Sequence, residues 1–344
     1  MAVHRHDVAD NQCAFWSSFG SLLHGGFRIA TRILTACPTA QTKVWTYTFP
    51  AALYDLQNQP RTWVDYGNPF EDYALNDLPR LNSTTGQPII DYPSTGRRYW
   101  VDMLQIDPAE VAKQLIPKLN QLLHRRIADD SVLLQLLRDF GTSSSPSDLD
   151  RNGVVDDADL LRLLMCFGQP FITQPPNFDG LFEGYFIDNA PEYHRYWTQY
   201  AGRTPQQALE GYERFVQLLK IVSPTAKICA NVYEGAVLDT WNGFLDVVDV
   251  VFFENWRWHW ATGTPLSDSA IQTIERRIRR CLSAGKSVVL GVPHALDSAD
   301  GNQKKEAVRT ALQRWGDGVV FAEYRKSFYR GREVGYPRPV RELF

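Results

Sequence analysis

Short runs that are apolar almost throughout recur along the chain at Lys43–Phe49, Phe182–Asp188, Lys227–Tyr233, Val247–Glu254, Ser287–Val292 and Gly318–Glu323. A strand that alternates apolar and polar residues can leave one face in water, whereas a strand apolar on both faces must be covered on both. Helical patterns separate most of these runs, and strands joined through helices lie parallel. The chain is therefore expected to be α/β, with a parallel sheet buried on both sides. A TIM-like (β/α)8 barrel is the architecture this alternation predicts.

Several connecting helices carry their own boundaries. Thr204-Pro205 supplies an N-cap and a first-turn proline, after which Leu209, Tyr212, Val216 and Leu219 recur at helical spacing until Ser223-Pro224. Asp107-Pro108 opens another helix with Val111, Ala112, Leu115, Leu119 and Leu122 on one face, and Pro117 is expected to kink it. A third runs from about Ser267 through Ile271, Ile274, Ile278 and Cys281 to a left-handed cap at Gly285. The first barrel strand is the weak point. Cys13–Phe19 is the candidate and Gly20–Gly26 reads as loop, so the barrel is expected to be incomplete there.

Residues 125–176 break the rhythm, with a Ser/Pro linker at Ser143–Ser147 and an acidic cluster. The expected organisation is a barrel built from 1–124 and 177–344 with 125–176 inserted in a surface loop, where insertions cost little. Within the insert, Leu133–Gly141 matches Leu160–Gly168 as an internal repeat. Between them Asp148, Asp150, Asn152, Asp156 and Asp159 put oxygen ligands at positions 1, 3, 5, 9 and 12 of a loop. Gly153 takes the sharp turn at position 6, and the Val154 carbonyl falls at position 7. That is the EF-hand spacing for wrapping one hard cation, so one structural Ca2+ site is expected; the alternative is an Asx-rich turn that caps the next helix. Asp at position 12 followed by Leu-Leu-x-Leu-Leu resembles the dockerin family, which implies a cohesin-like or cell-surface partner. The first half-repeat has Gln121, Leu123, Arg125, Arg126 and Val132 at the ligand positions and lacks the donors for a second ion.

Composition narrows the partners. With 36 Lys+Arg against 39 Asp+Glu the formal charge is −3, which advertises no nucleic-acid surface. No run reaches the roughly 20 apolar residues of a membrane span, and Met1–Asp10 lacks the apolar core of a signal peptide. The five cysteines are scattered, in neither metal-ligand nor disulfide-scaffold spacing. The 10 Trp and 15 Tyr exceed what a core of this size needs, and aromatic rings stack well on sugar faces.

The chemistry is expected at two strand ends. Phe182-Glu-Gly-Tyr-Phe-Ile-Asp188-Asn189 and Val247-Val-Asp-Val-Val-Phe-Phe-Glu254-Asn255 are apolar runs that stop abruptly at an acid followed by an amide. In a parallel barrel such C-terminal ends face one mouth, so Asp188 and Glu254 would share a cleft. Two carboxyls in one cleft are what glycosidic-bond cleavage uses: one protonates the leaving oxygen while the other attacks or activates water. The competing role for each acid is helix capping or an arginine pair. Asp102 is a third acid, with a role in fixing a sugar hydroxyl or in capping. Trp45, Tyr47, Asn189, Asn231, Tyr233, Asn255 and Trp256 are expected to supply stacking and polar contacts. Glu234, His294 and Glu323 also fall near strand ends and are alternatives to Glu254.

Trp45-Thr-Tyr-Thr-Phe49, Trp100-Val-Asp-Met103, the Phe182–Asn189 strand and Phe252-Phe-Glu-Asn255 together resemble the glycoside-hydrolase-like barrel families related to endo-α-1,4-polygalactosaminidase. Glu183 stands where those families usually carry Asp. The resemblance implies a (β/α) barrel acting on a polysaccharide with Asp188 and Glu254 as the acidic pair. A non-catalytic carbohydrate-binding barrel and a calcium-dependent docking protein are the competing readings. A polysaccharide substrate and a calcium loop both suit an extracellular or cell-surface location.

Overall fold

The structure, a computed structural model, describes residues 21–25, 43–48, 52–54, 78–91, 98–123, 126–127, 129–143, 147–149, 153–165, 167, 170–171, 184–260, 262–293, 301–329 and 332–339. Its centre is an eight-stranded sheet formed by β1 (Ser21–Gly25), β2 (Lys43–Thr48), β3 (Gly184–Ile187), β4 (Lys227–Asn231), β5 (Val250–Phe253), β6 (Ser287–Pro293), β7 (Val319–Tyr329) and β8 (Arg332–Pro339). Spatial order follows chain order, and every pairing from β1 to β7 is parallel. The α/β expectation with a buried parallel sheet holds: β3 and β5 are buried at every position, the outcome their continuous apolar character requires.

Two features depart from the sequence reading. Ser21–Gly25, inside the Gly20–Gly26 stretch that reads as loop, is the first strand and pairs with β2 from Ser21↔Lys43 to Gly25↔Tyr47; Cys13–Phe19 lies outside the described residues. The run expected to end at Glu323 instead continues to Tyr329, and β8 returns antiparallel to it. Only positions 330 and 331 separate the two strands, far too few for a parallel crossover. β1 and β8 approach within 8 Å between Cα atoms, but no hydrogen-bonded ladder among the described residues joins them.

The covering helices form where their caps predict. Helix α1 (Pro108–Leu123) runs through Pro117 without interruption. Helix α4 (Ala190–Arg195) follows β3 after two residues, and α5 (Pro205–Val222) starts at a capping box. There the Thr204 side chain accepts from the Gln207 N–H and the Gln207 side chain accepts from the Thr204 N–H. Leu209, Tyr212, Phe215, Val216 and Leu219 of α5 are buried in the main core, each contributing roughly 1.5–3 kcal/mol over an exposed position. Helix α6 (Asp268–Ser283) is capped by the Ser267 hydroxyl, and Gly285 takes the left-handed conformation at φ +72°. Helix α7 (Gly301–Trp315) precedes β7. Among the described residues no helix is long and apolar enough to cross a membrane.

Residues 126–171 begin and end in a two-stranded ladder, Arg126↔Phe171 and Ile127↔Pro170. Inside it α2 (Asp130–Asp139) and α3 (Asp157–Met165) are helices, and Leu136, Leu149, Val155 and Leu163 form a small core distinct from the main one. The internal repeat shows in exposure as well as in sequence. Leu134 and Leu161 are 55% and 60% exposed, Leu137 and Leu164 50% and 49%, and Phe140 and Phe167 44% and 43%.

Candidate active site

Asp188 and Glu254 follow directly on β3 and β5, at the same end of the two parallel strands that flank β4. Each is the first residue past an apolar strand, so the strand's burial fixes its backbone while its carboxyl enters the space above the sheet. Both acids are buried. The Asp188 N–H donates to the Thr48 carbonyl at 2.9 Å, which ties the end of β3 to the end of β2. On the other side, a Cβ added to Gly291 of β6 would stand 2.5 Å from the Glu254 carbonyl oxygen, so only glycine lets β6 approach Glu254 this closely.

Asn231, the last residue of β4 and fully buried, brings the two acids together. Its Nδ2 donates to Asp188 Oδ1 at 2.7 Å and to Glu254 Oε2 at 2.9 Å. Its Oδ1 accepts from the Tyr233 N–H at 3.0 Å, which orients the amide so that its NH2 faces the carboxylates. Both carboxylate contacts end on one nitrogen, so the two oxygens are at most about 5.6 Å apart, the 2.7 and 2.9 Å contacts laid end to end. The Asn231 side-chain amide thus bridges the two carboxylates.

The neighbouring residues divide between site and scaffold. Asn189 donates its N–H to Asp188 Oδ1 at 3.0 Å, and its Oδ1 accepts from the Tyr233 hydroxyl. Asn255 is an anchor for the loop that follows Glu254. Its Nδ2 donates to Glu234 Oε1 at 3.2 Å, and its Oδ1 accepts from the Trp260 N–H at 2.8 Å. Trp256, expected as a sugar platform, is instead fully buried, its ring against those of Trp258, Trp315 and Phe321. Asp102 is likewise buried, as the cap of the 3-10 turn Met103–Gln105: it accepts from the Leu104 N–H, Gln105 Nε2 at 2.7 Å and Arg203 at 3.2 Å. The capping alternative for Asp102 is thus the observed one.

Trp45 and Tyr47 lie on β2 in register with Gly184 and Phe186. Glu234 falls three residues past β4. Glu323 is interior to β7, opposite Val292, rather than at its end. His294 lies outside the described residues. Two residues escaped the sequence reading. Gly291 had a signal, an isolated glycine inside an apolar strand, which marks close backbone approach. Trp260, half-buried on the loop after Glu254 and stacked with His259 at 6.5 Å, had none beyond its position.

In the insert, Asp148 Oδ2 accepts from the Gly153 N–H at 2.9 Å, with Gly153 at φ +96°. Asp159 is buried and accepts from the Leu149 N–H at 2.6 Å and the Asp156 N–H at 2.9 Å. Asp156 also receives the Ala158 N–H, and Val154 is exposed. Asp150 and Asn152 lie outside the described residues, among which no three His, Cys, Asp or Glu side chains form a metal-holding group.

No protein-family model matches the chain, and no curated protein matches it. Solved structures do. The chain is similar to the glycoside hydrolase domain of PelA from Pseudomonas aeruginosa at 12% identity, covering 90% of this chain and 89% of that one with a TM-score of 0.45. It is also similar to TsXylA, an intracellular xylanase from Thermoanaerobacterium saccharolyticum, at 10% identity, covering 86% and 70% with a TM-score of 0.33.

Proposed function

We propose that this chain is a glycoside hydrolase that cleaves a polysaccharide with retention of anomeric configuration, using Asp188 and Glu254. The observation that carries the reading is the Asn231 amide shared by both carboxylates, which holds Asp188 Oδ1 and Glu254 Oε2 within about 5.6 Å of each other. Carboxyls about 5–5.5 Å apart suit double displacement, whereas inverting pairs stand about 6.5–9.5 Å apart to admit a water. In the first step an Asp188 oxygen attacks the anomeric carbon as the Glu254 carboxyl gives its proton to the leaving glycosidic oxygen, forming a glycosyl ester. In the second, Glu254 takes a proton from water, whose oxygen displaces Asp188. Asp188 is assigned as nucleophile because Asn231 and the Asn189 N–H both donate to its Oδ1, meeting its negative charge and fixing its position.

Proton NMR of the first product formed from a polysaccharide panel tests the reading: the initial anomer should match the substrate. Asp188→Asn should abolish turnover, and azide should not restore a retained product. Glu254→Gln should keep residual activity only on substrates with acidic leaving groups. Full activity in either variant removes that acid from the mechanism.

The insert supports a second reading, one structural Ca2+ held by 148–159. The Gly153 N–H donates to Asp148 Oδ2, bringing positions 6 and 1 together as cation wrapping requires. Such a site suits extracellular calcium. The paired exposed rows Leu134-Leu137-Phe140 and Leu161-Leu164-Phe167 support a docking role for this unit. Calorimetry with calcium should give heat and a raised Tm that Asp148→Ala with Asp150→Ala removes; no heat in the parent protein ends this reading.

A further inference from the structure

Asn189 and Tyr233 are the only non-glycine residues with positive φ among the described residues, at 60° and 53°. That left-handed conformation is uncommon for asparagine and costly for a bulky side chain such as tyrosine, so it persists only where surrounding contacts impose it. These two residues are also bonded to each other, the Tyr233 hydroxyl donating to Asn189 Oδ1. Each follows a member of the site closely: Asn189 comes directly after Asp188, and Tyr233 comes two residues after Asn231.

The bonds close a circuit. Asn231 Nδ2 donates to Asp188 Oδ1 at 2.7 Å, and the Asn189 N–H donates to that same oxygen at 3.0 Å. Asn189 Oδ1 accepts from the Tyr233 hydroxyl, and the Tyr233 N–H donates to Asn231 Oδ1 at 3.0 Å. The two left-handed residues are thus both members of the circuit, one on each of the two loops. The circuit leaves one Asn231 N–H for Glu254 Oε2. The ring also crosses from the loop after β3 to the loop after β4, so a shift in either loop would reorient the shared amide.

We propose that Tyr233 and Asn189 are a coupled pair of positioning residues, whose mutual bond locks the Asn231 amide and thereby sets the separation of Asp188 and Glu254. This rests on the proposed hydrolase reading only for its effect on turnover; the locked amide is a property of the fold. Both N–H groups and the oxygen of the Asn231 amide are then used internally, so Asn231 holds the acids rather than the sugar.

The experiment is a double-mutant cycle of Tyr233→Phe and Asn189→Gly, read in two ways. Phenylalanine keeps the ring and removes the hydroxyl, and glycine relieves the positive φ while removing the acceptor. Each single variant should lower kcat at least tenfold with KM within twofold, and the double variant should be no worse than either single one. In parallel, hydrogen exchange of the Asn231 side-chain amide, followed in asparagine-labelled protein and assigned with Asn231→Ser, should be slow in the parent. It should speed up at least tenfold in each variant while backbone amides of β4 and β5 stay protected. Losses that multiply in the double variant, or an Asn231 amide whose exchange the variants leave unchanged, overturn the proposal. A parent protein inactive on every polysaccharide would defeat the hydrolase reading alone, since the exchange measurement still decides the coupling.

Discussion

Gly291 meets the backbone of Glu254 so closely that its missing side chain is part of the site: a Cβ there would lie 2.5 Å from the Glu254 carbonyl oxygen and 3.2 Å from its Cα. Backbone atoms on β5 cannot swing aside as a flexible side chain would, so the clash must move a strand. Gly291→Ala is expected to cost about 1–3 kcal/mol of stability, the range for overpacking a dense interior. It should also displace Glu254 and lower kcat more than it raises KM. Denaturant melts and steady-state kinetics on the same preparation check both effects.

Glu275 of α6 bridges two arginines, accepting from Arg257 at 2.8 Å and Arg314 at 2.8 Å. Arg257 lies three residues after Glu254 with its guanidinium over the Trp256 ring at 5.4 Å, so this triad pins the loop leaving the site to α6 and α7. Glu275→Gln leaves two cations without their shared anion. Because both arginines keep contact with solvent, the expected loss is roughly 1–2 kcal/mol, well below the cost of breaking a fully buried pair. Urea denaturation at low and high salt should show the loss shrinking as salt rises.

Trp260 presents a half-exposed ring on the same loop, its backbone held by Asn255. If it forms the platform that Trp256 does not, Trp260→Ala should raise KM roughly two- to tenfold with kcat preserved, the effect of losing a ring contact worth about 0.5–1.5 kcal/mol. Trp256→Phe should instead lower Tm.

Burial drives the Cys229 thiol well above its ordinary range and pushes Cys281 up to about 12. Folded protein should therefore resist iodoacetamide at both positions at pH 8.5, while unfolded protein is alkylated. The folded thiol keeps its proton where the unfolded one loses it, so its contribution to stability is complete below the ordinary thiol range near pH 8.5. It is lost as pH rises from there toward 12. Urea melts at pH 7, 9 and 10 should show that decline, and Cys281→Ala should flatten it.

The strands that hold the site were legible because burial on both faces leaves a nearly uninterrupted apolar run, and the acids were legible because such a run stops at them. What Asn231 does was not, since a strand pattern gives a residue's position and not what its side chain faces. Trp256 misled for the same reason: two residues past Glu254, it turns into the core. The first strand was hidden because Ser21-Leu-Leu-His-Gly25 is short and glycine-flanked. β8 was hidden because Pro337 and Pro339 argue against a central strand, although an edge strand tolerates them.

Among the described residues the tryptophan richness that suggested sugar platforms is mostly interior: Trp100, Trp197, Trp241, Trp256 and Trp258 are all buried, and Trp100, Trp197 and Trp241 pack around Tyr193. The emission of these five indoles, which a ligand cannot touch, is consequently blue-shifted and insensitive to aqueous quenchers. It reports whether the chain is folded far better than whether a glycan is bound.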